Sequence, residues 1–245
     1  MTTINRSKLN ALLSQLPGGT PVTTEDLARE GISGDLAVHY VRAGWLVRLA
    51  RGVYCRPDTP LQRDPSLLLL QRQIPGLHVG GKSALDWHGV RHHVSQAPML
   101  HLYGLESASL PDWFTRVFAA DYHRKHLFSS DVTGMRHAGP FEGRAEAPNV
   151  SAPERAFLEL LSEVGVRQPL AEARELAEGA YGLRPSVLAE LLRQCTSVKT
   201  VRLCLQLGRE LSLPWVKKLD PAKLPTGGDR PWVGQTREGL LVLKS

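Results

Sequence analysis

The stretch from Gly76 to Ser83, "GLHVGGKS", fits the spacing G-x-x-x-x-G-K-[ST], with Gly76, Gly81, Lys82 and Ser83 in the slots of a phosphate-binding loop. Such a loop works only in context. A buried strand must enter it, a long helix must leave it, and a later acid must hold magnesium. The residues before Gly76, "LLLLQRQIP", read instead as an amphipathic helix ending in proline. After Ser83 only "ALDWH" precedes Gly89, room for little more than a helical turn. No apolar strand ending in aspartate comes later. The stretch is therefore read as a strand turning sharply through its glycines. Ser83 is expected to cap a short helix carrying Ala84, Leu85 and Trp87 into the core, with Lys82 a surface charge and no ATP bound.

Other chemistries find equally little to start from. Eight of the nine histidines lie between His78 and His137, including His92-His93 and the i, i+3 pair His123/His126. They show no repeating ligand spacing, so surface or satisfied core positions are favoured and neither metal nor cofactor is expected. Cys55, Cys195 and Cys204 form no C-x-x-C pair, which argues against a disulfide framework or structural zinc and for a reducing compartment. "PDWF" could open a nuclease motif, but no E-x-K or D-x-K follows, and "EGR" at Glu142 is a poor substitute. Gly80-Gly81 lacks the downstream D-x-D or D-x-E of a nucleotidyltransferase, and no nucleophile elbow is present. No catalytic residue is assigned, and a non-enzyme is expected.

The elements around these residues say more. The 245-residue chain has the apolar and charged content of an ordinary globular protein, with a formal net charge of +6. The N-terminus "MTTINRSKLNALLSQLPGG" lacks signal-peptide features and no apolar run nears membrane-spanning length, so a cytoplasmic protein is expected. Leu9, Leu12, Leu13 and Leu16 recur at helical spacing. A second helix follows with Thr23 or Thr24 as its cap, and a third after Ser33 turns Leu36, Tyr40 and Val41 inward. "WLVRLARGVYCRP" then alternates into a hairpin turning at Arg51-Gly52. Helix, helix, turn, helix and hairpin is the order of a winged helix-turn-helix, expected over residues 1–60.

In that geometry the third helix enters the major groove and the wing grips the backbone. The DNA-contacting candidates are Thr24, Ser33, Asp35, His39 and Arg42, together with Arg48 and Arg51 on the wing. Val38 lies on the same helix face. No acid occurs between Asp35 and Asp58, while Arg42, Arg48, Arg51 and Arg56 do, which is the electrostatic footprint of nucleic-acid contact.

Residues 61–245 read as a larger mixed α/β domain. A leucine-rich helix spans 65–73, and short strands are expected in "LHVGG", "PMLHLYG", "WFTRVFAA", "GMRHAG" and "GRAEA". Helices then dominate at 153–164, 169–179, 184–195 and 199–212, and "GLLVLKS" closes the chain as a strand. Between Lys199 and Lys218 five bases face only Glu210. These are Lys199, Arg202, Arg209, Lys217 and Lys218, and they either face a macromolecular partner such as RNA, further DNA or a protein, or form a solvated helix face.

Several segments in order resemble the AbiEi family, the antitoxins of bacterial type IV abortive-infection modules. They are the wing "RLARGVY", then "VGGKSALDWHGV", then "VSAPERAFLELL", then "CTSVKTVRLCLQLGRELSLPW", and finally "LPTGGDRPWVGQ". The resemblance implies two roles: repression of the module's own promoter through inverted repeats, and antagonism of a cognate nucleotidyltransferase toxin with or without a stable complex. In "SAPERAFLELL", Ser151 is expected to cap the helix, Pro153 to occupy its first turn and Glu154 to favour its positive end. Arg155 is expected to pair with an acid or to touch the toxin's substrate. Two other readings stay open: a winged-helix regulator with a ligand-sensing second domain, and a DNA-directed nuclease.

Overall fold

The structure is a computed structural model, and it describes residues 16–90, 99–129, 135–137, 147–236 and 239–244. The expected first helix at Leu9–Leu13, the pair His92-His93 and most of "GRAEA" lie outside these residues. The chain divides into two compact units, one of residues 1–73, 110–118 and 146–148, the other of residues 74–109, 119–145 and 149–245.

In the first unit Val22–Thr23 forms the short strand β1, and Thr23 then caps helix α1 (Thr24–Arg29). The cap is reciprocal: Thr23 Oγ1 accepts from the Asp26 amide at 3.1 Å, and Asp26 Oδ2 accepts from the Thr23 amide at 2.9 Å. Ser33 caps helix α2 (Gly34–Arg42), its Oγ accepting from the Leu36 amide at 3.3 Å. Strands β2 (Val47–Ala50) and β3 (Val53–Cys55) form an antiparallel hairpin, and β1 pairs with β3 to give the order β1-β3-β2. Gly52 turns the hairpin at φ +74°, in the left-handed region that favours glycine. Leu16, Leu27, Ile32, Ala37, Tyr40, Leu46 and Tyr54 form the core beneath. This is a winged helix-turn-helix. Helix α3 (Arg63–Gln73) completes this stretch of chain, with Leu67, Leu69 and Leu70 buried.

The second unit starts with strand β4 (His78–Val79) and helix α4 (Gly81–Trp87), followed by β5 (Leu100–Gly104). "WFTRVFAA" is not a strand throughout: Asp112–Thr115 forms helix α5 in the first unit, and strand β6 begins at Ala120 and runs to Arg124. Phe114 and Phe118 pack their rings at 5.0 Å, so the apolar spacing there serves a helical turn. Strands β7 (Met135–His137) and β8 (Asn149–Ser151) complete a mixed sheet of order β6-β5-β4-β8-β7. Four helices follow: α6 (Pro153–Glu163), α7 (Leu170–Glu178), α8 (Pro185–Gln194) and α9 (Val198–Glu210). Helix α6 is buried along its whole length after Pro153, the mark of a central helix rather than an amphipathic one. An antiparallel hairpin, β9 (Trp232–Thr236) and β10 (Gly239–Leu243), ends the fold. The architecture is mixed α/β, as the sequence implies. Among the described residues no helix is long and apolar enough to cross a membrane.

Candidate functional site

The first unit presents a continuous outward face on α2. Ala37 and Tyr40 pin the helix to the core, while Asp35, Val38, His39 and Arg42 stand exposed on its other side. Arg48 and Arg51 are exposed on the hairpin, and the Arg48 Nε donates to the Ala50 carbonyl at 3.3 Å. Ser33 is exposed; its oxygen accepts the capping bond, which leaves its hydroxyl proton free to donate outward. Thr24 differs from its neighbours. It is half-buried, and both its amide (2.9 Å) and its hydroxyl (3.4 Å) donate to the Gly52 carbonyl, so it ties α1 to the tip of the wing.

The second unit hides a polar hub that the sequence did not reveal. Glu159, on the buried α6, is 2% exposed yet surrounded by donors. Its Oε1 meets His78 Nε2 at 3.0 Å and Arg155 Nε at 2.8 Å; its Oε2 accepts from the Gly81 amide at 3.0 Å and the Ser151 hydroxyl at 2.8 Å. Burial alone would raise the carboxyl's pKa, but attraction and hydrogen bonding from His78 and Arg155 hold it down at about 2. His78 Nδ1 faces the Gly76 carbonyl at 2.8 Å, so both ring nitrogens point at acceptors. Arg155 also lies over the Phe128 ring, 5.0 Å from its centroid.

This hub explains the phosphate-loop pattern. A Cβ at Gly80 would come within 2.4 Å of Glu159 Oε2 and 2.5 Å of the Tyr103 ring. One at Gly81 would lie 2.6 Å from the Tyr103 hydroxyl. The glycines let the start of α4 close onto a carboxylate, and the anion beneath that loop is the protein's own Glu159. Two capping expectations are corrected accordingly. Gly80, not Ser83, is the N-cap of α4, and Ser83 Oγ instead donates to the Met99 carbonyl (3.1 Å) and accepts from the His101 amide (2.8 Å). Ala152, not Ser151, is the N-cap of α6, because Ser151 spends its hydroxyl on Glu159. Pro153 does sit at the start of α6, and Glu154 is clamped by Arg184 through two bonds of 2.8 Å.

Beside the hub a recess of about 20 Å³ is lined by Lys82, His101, Tyr103, His123, Glu163 and Arg167, among others. Arg167 Nη1 donates to His123 Nδ1 at 3.1 Å, which fixes the His123 proton on Nε2; that proton is given to His101 Nδ1, also at 3.1 Å. Burial, the adjacent His123 and Lys82 push the His101 pKa down to about 4, so it is neutral at pH 7. Tyr103 stacks on His123 at 4.6 Å, and burial with Glu159 and Glu163 nearby raises its hydroxyl pKa well above the ordinary value. Burial opposes ionisation of Glu163, but the Lys125 ammonium beside it prevails and holds its carboxyl well below the ordinary range. Lys125 reaches Glu163 at 2.8 Å. Lys82 donates to Glu172 at 2.7 Å. Among the described residues no group of three His, Cys, Asp or Glu side chains could hold a metal ion. Sequence reasoning missed this cluster because His78, His101, His123 and Glu159 come from four separate elements.

The C-terminal bases separate into three kinds. Arg209, Lys217 and Lys218 are exposed. Lys199 is half-buried, its Nζ donating at 2.8 Å to the Ser162 and Val164 carbonyls, and burial lowers its pKa. It satisfies the end of α6. Arg202 is the clear correction: at 2% exposure it cannot face a toxin or RNA. Its guanidinium instead holds the Thr226 (2.6 Å), Arg230 (2.7 Å), Leu243 (3.1 Å) and Gly228 carbonyls, pinning the glycine-rich loop and the closing hairpin to α9.

A winged helix-turn-helix with an exposed helix face, followed in the chain by a mixed α/β unit, is the architecture of a transcriptional regulator. The chain belongs to the AbiEi antitoxin family. The family model described as "Transcriptional regulator, AbiEi antitoxin, Type IV TA system" matches residues 97–244, and that of the "Transcriptional regulator, AbiEi antitoxin N-terminal domain" matches residues 5–96. No curated protein matches the sequence. Among solved structures, the crystal structure of the RV2827C protein from Mycobacterium tuberculosis is similar, with a TM-score of 0.59 at 17% identity over 90% of this chain and 83% of that one. The two share a fold.

Proposed function

We propose that this protein is a two-module cytoplasmic antitoxin without enzymatic activity. Residues 1–60 bind inverted repeats in the promoter of its own operon, and residues 61–245 oppose a cognate nucleotidyltransferase toxin. The observation that carries the DNA half is the outward face of α2. Asp35, His39 and Arg42 stand on one side of a helix whose other side is locked into the core, with Arg48 and Arg51 on the adjacent wing. Arginine forks suit phosphate oxygens and guanine edges, and a rigid helix suits the major groove. Family membership supports the antitoxin half. The recess in the second unit, at about 20 Å³, is far below the 300–1,000 Å³ of a metabolite pocket, which disfavours a ligand-sensing role for it.

Two measurements test the reading. Expressed with a cognate nucleotidyltransferase toxin, the protein should restore growth, and growth arrest despite expression would refute the antitoxin role. Binding to its own upstream DNA should weaken steeply with salt, whereas binding indifferent to salt and sequence would refute the repressor role.

A further inference from the structure

We propose that the recess floored by Tyr103 and His101 in the second unit binds a single carboxylate group, supplied by an acidic side chain of a protein partner. Among the described residues no side-chain nitrogen or oxygen of the second unit is both buried and unpaired, so a donor here without a protein partner opens to the outside. Among the described residues neither the Tyr103 hydroxyl nor His101 Nε2 makes a hydrogen bond, although Tyr103 is 3% exposed and His101 is half-buried. Both residues line the recess. The chain Arg167–His123–His101 places the His101 proton on Nε2, because Nδ1 is used as an acceptor. Two neutral donors thus stand at the recess without protein acceptors.

The charges at its rim complete a carboxylate site. Lys82 and Arg167 each spend part of their donor capacity on half-buried acids, Glu172 at 2.7 Å and Asp121 at 3.2 Å. Such partly exposed pairs are weakly held, and both cations keep further N–H groups to offer. The acid lining the recess, Glu163, is already neutralised by Lys125. The volume, about 20 Å³, admits roughly one water-sized group. The recess opens to solvent, so it can receive the head of a carboxylate carried in on a side chain. The chemistry matches an aspartate or glutamate side chain inserted from outside. Its owner, on the antitoxin reading above, is the toxin, and the inference rests on that reading for the owner alone.

The site itself is tested without toxin or DNA. Formate is titrated into the full-length protein at constant ionic strength against chloride, while the His101 imidazole resonances are followed by NMR. A saturable shift of His101 is expected. Tyr103→Phe should weaken formate binding about tenfold, the loss of one hydrogen bond to a charged group. Its thermal midpoint should not fall, because the hydroxyl has no partner inside the protein. His101 resonances that respond no more to formate than to chloride would overturn the site. So would unchanged formate affinity in Tyr103→Phe, a large drop in its stability, or binding of inorganic phosphate in preference to formate. Co-expression then tests the owner. Tyr103→Phe should lose most of its rescue of growth while binding promoter DNA normally, and full rescue would overturn the toxin as the source of the carboxylate. A wild-type protein that binds formate yet never rescues growth would separate failure of the antitoxin reading from failure of the site.

Discussion

The two units keep their polar residues in opposite ways. In the first, the α2 face points to solvent together with Arg48 and Arg51 of the hairpin, and these residues lie close together in sequence. In the second, the telling polar groups are inside, and most of their partners come from other elements: besides Arg155 of its own helix, Glu159 is met by His78, Gly81 and Ser151. An outward face works by what it meets, so its residues can change at little cost to folding. An inward hub works by what it already holds, and removing one member strands the rest. Substitutions should therefore separate the units by what they damage.

The largest effect should come from Glu159→Ala. It leaves Arg155 as a buried charge without its counter-ion, strands the His78 ring, the Gly81 amide and the Ser151 hydroxyl, and should cost about 3–5 kcal/mol, measured by urea unfolding. A loss below 1 kcal/mol would mean the hub is hydrated and does not differ from the surface. Acid should reproduce the loss in two stages. His101 titrates near 4 folded against about 6.5 unfolded, so its share of stability is full above pH 6.5 and is lost as pH falls towards 4. Glu159 and Glu163, held near 2 against 4.5, contribute above about pH 4.5 and lose that contribution on the way down to 2. Both stages destabilise on acidification, so the unfolding midpoint should decline continuously below pH 6.5.

Next comes Arg202→Ala, which strands several carbonyls and should cost about 2–3 kcal/mol. Hydrogen exchange should show β9 and β10 losing protection before the rest of the fold. Arg209→Ala, on the same helix but exposed, should stay within about 0.5 kcal/mol. This pair shows where sequence reading stops. Charge counting places Lys199, Arg202 and Arg209 in one basic zone, because formal charge is visible and burial is not. The α9 periodicity does put Val201, Leu205 and Cys204 inward, yet an arginine among them reads as surface until the carbonyls of a loop more than twenty residues onward are seen around it. The winged helix was legible for the converse reason. Its caps, turn glycine and alternating hairpin are local signals, each decided within a few residues. Ser83 and Ser151 mark the border. Both look like caps by spacing, and both were claimed by distant partners, which no local rule weighs.

In the first unit, changing Arg48 and Arg51 together to Ala should leave folding within about 0.5 kcal/mol while weakening promoter binding by about 2–3 kcal/mol at low salt. The slope of log affinity against log salt should shrink by about one for each phosphate contact removed. Equal damage to folding and binding would erase the contrast between the units. Retained affinity with an unchanged slope would remove the wing from the interface.

The smallest effect is the one that decides how the glycine-rich stretch is understood. In a working phosphate loop the lysine carries the ligand's charge, and its removal abolishes nucleotide binding. Here Lys82 and its partner Glu172 are each more than a third exposed, so the pair is screened and worth less than about 1 kcal/mol. Lys82→Ala should therefore barely move the thermal midpoint, and ATP with magnesium should move neither wild type nor variant. The reason is steric as much as electrostatic: the Gly81 amide that would face a phosphate already donates to Glu159 at 3.0 Å. An ATP-dependent shift lost in Lys82→Ala would mean that this carboxylate can be displaced, and the inward hub would then be a ligand site as open to its surroundings as the outward face of α2.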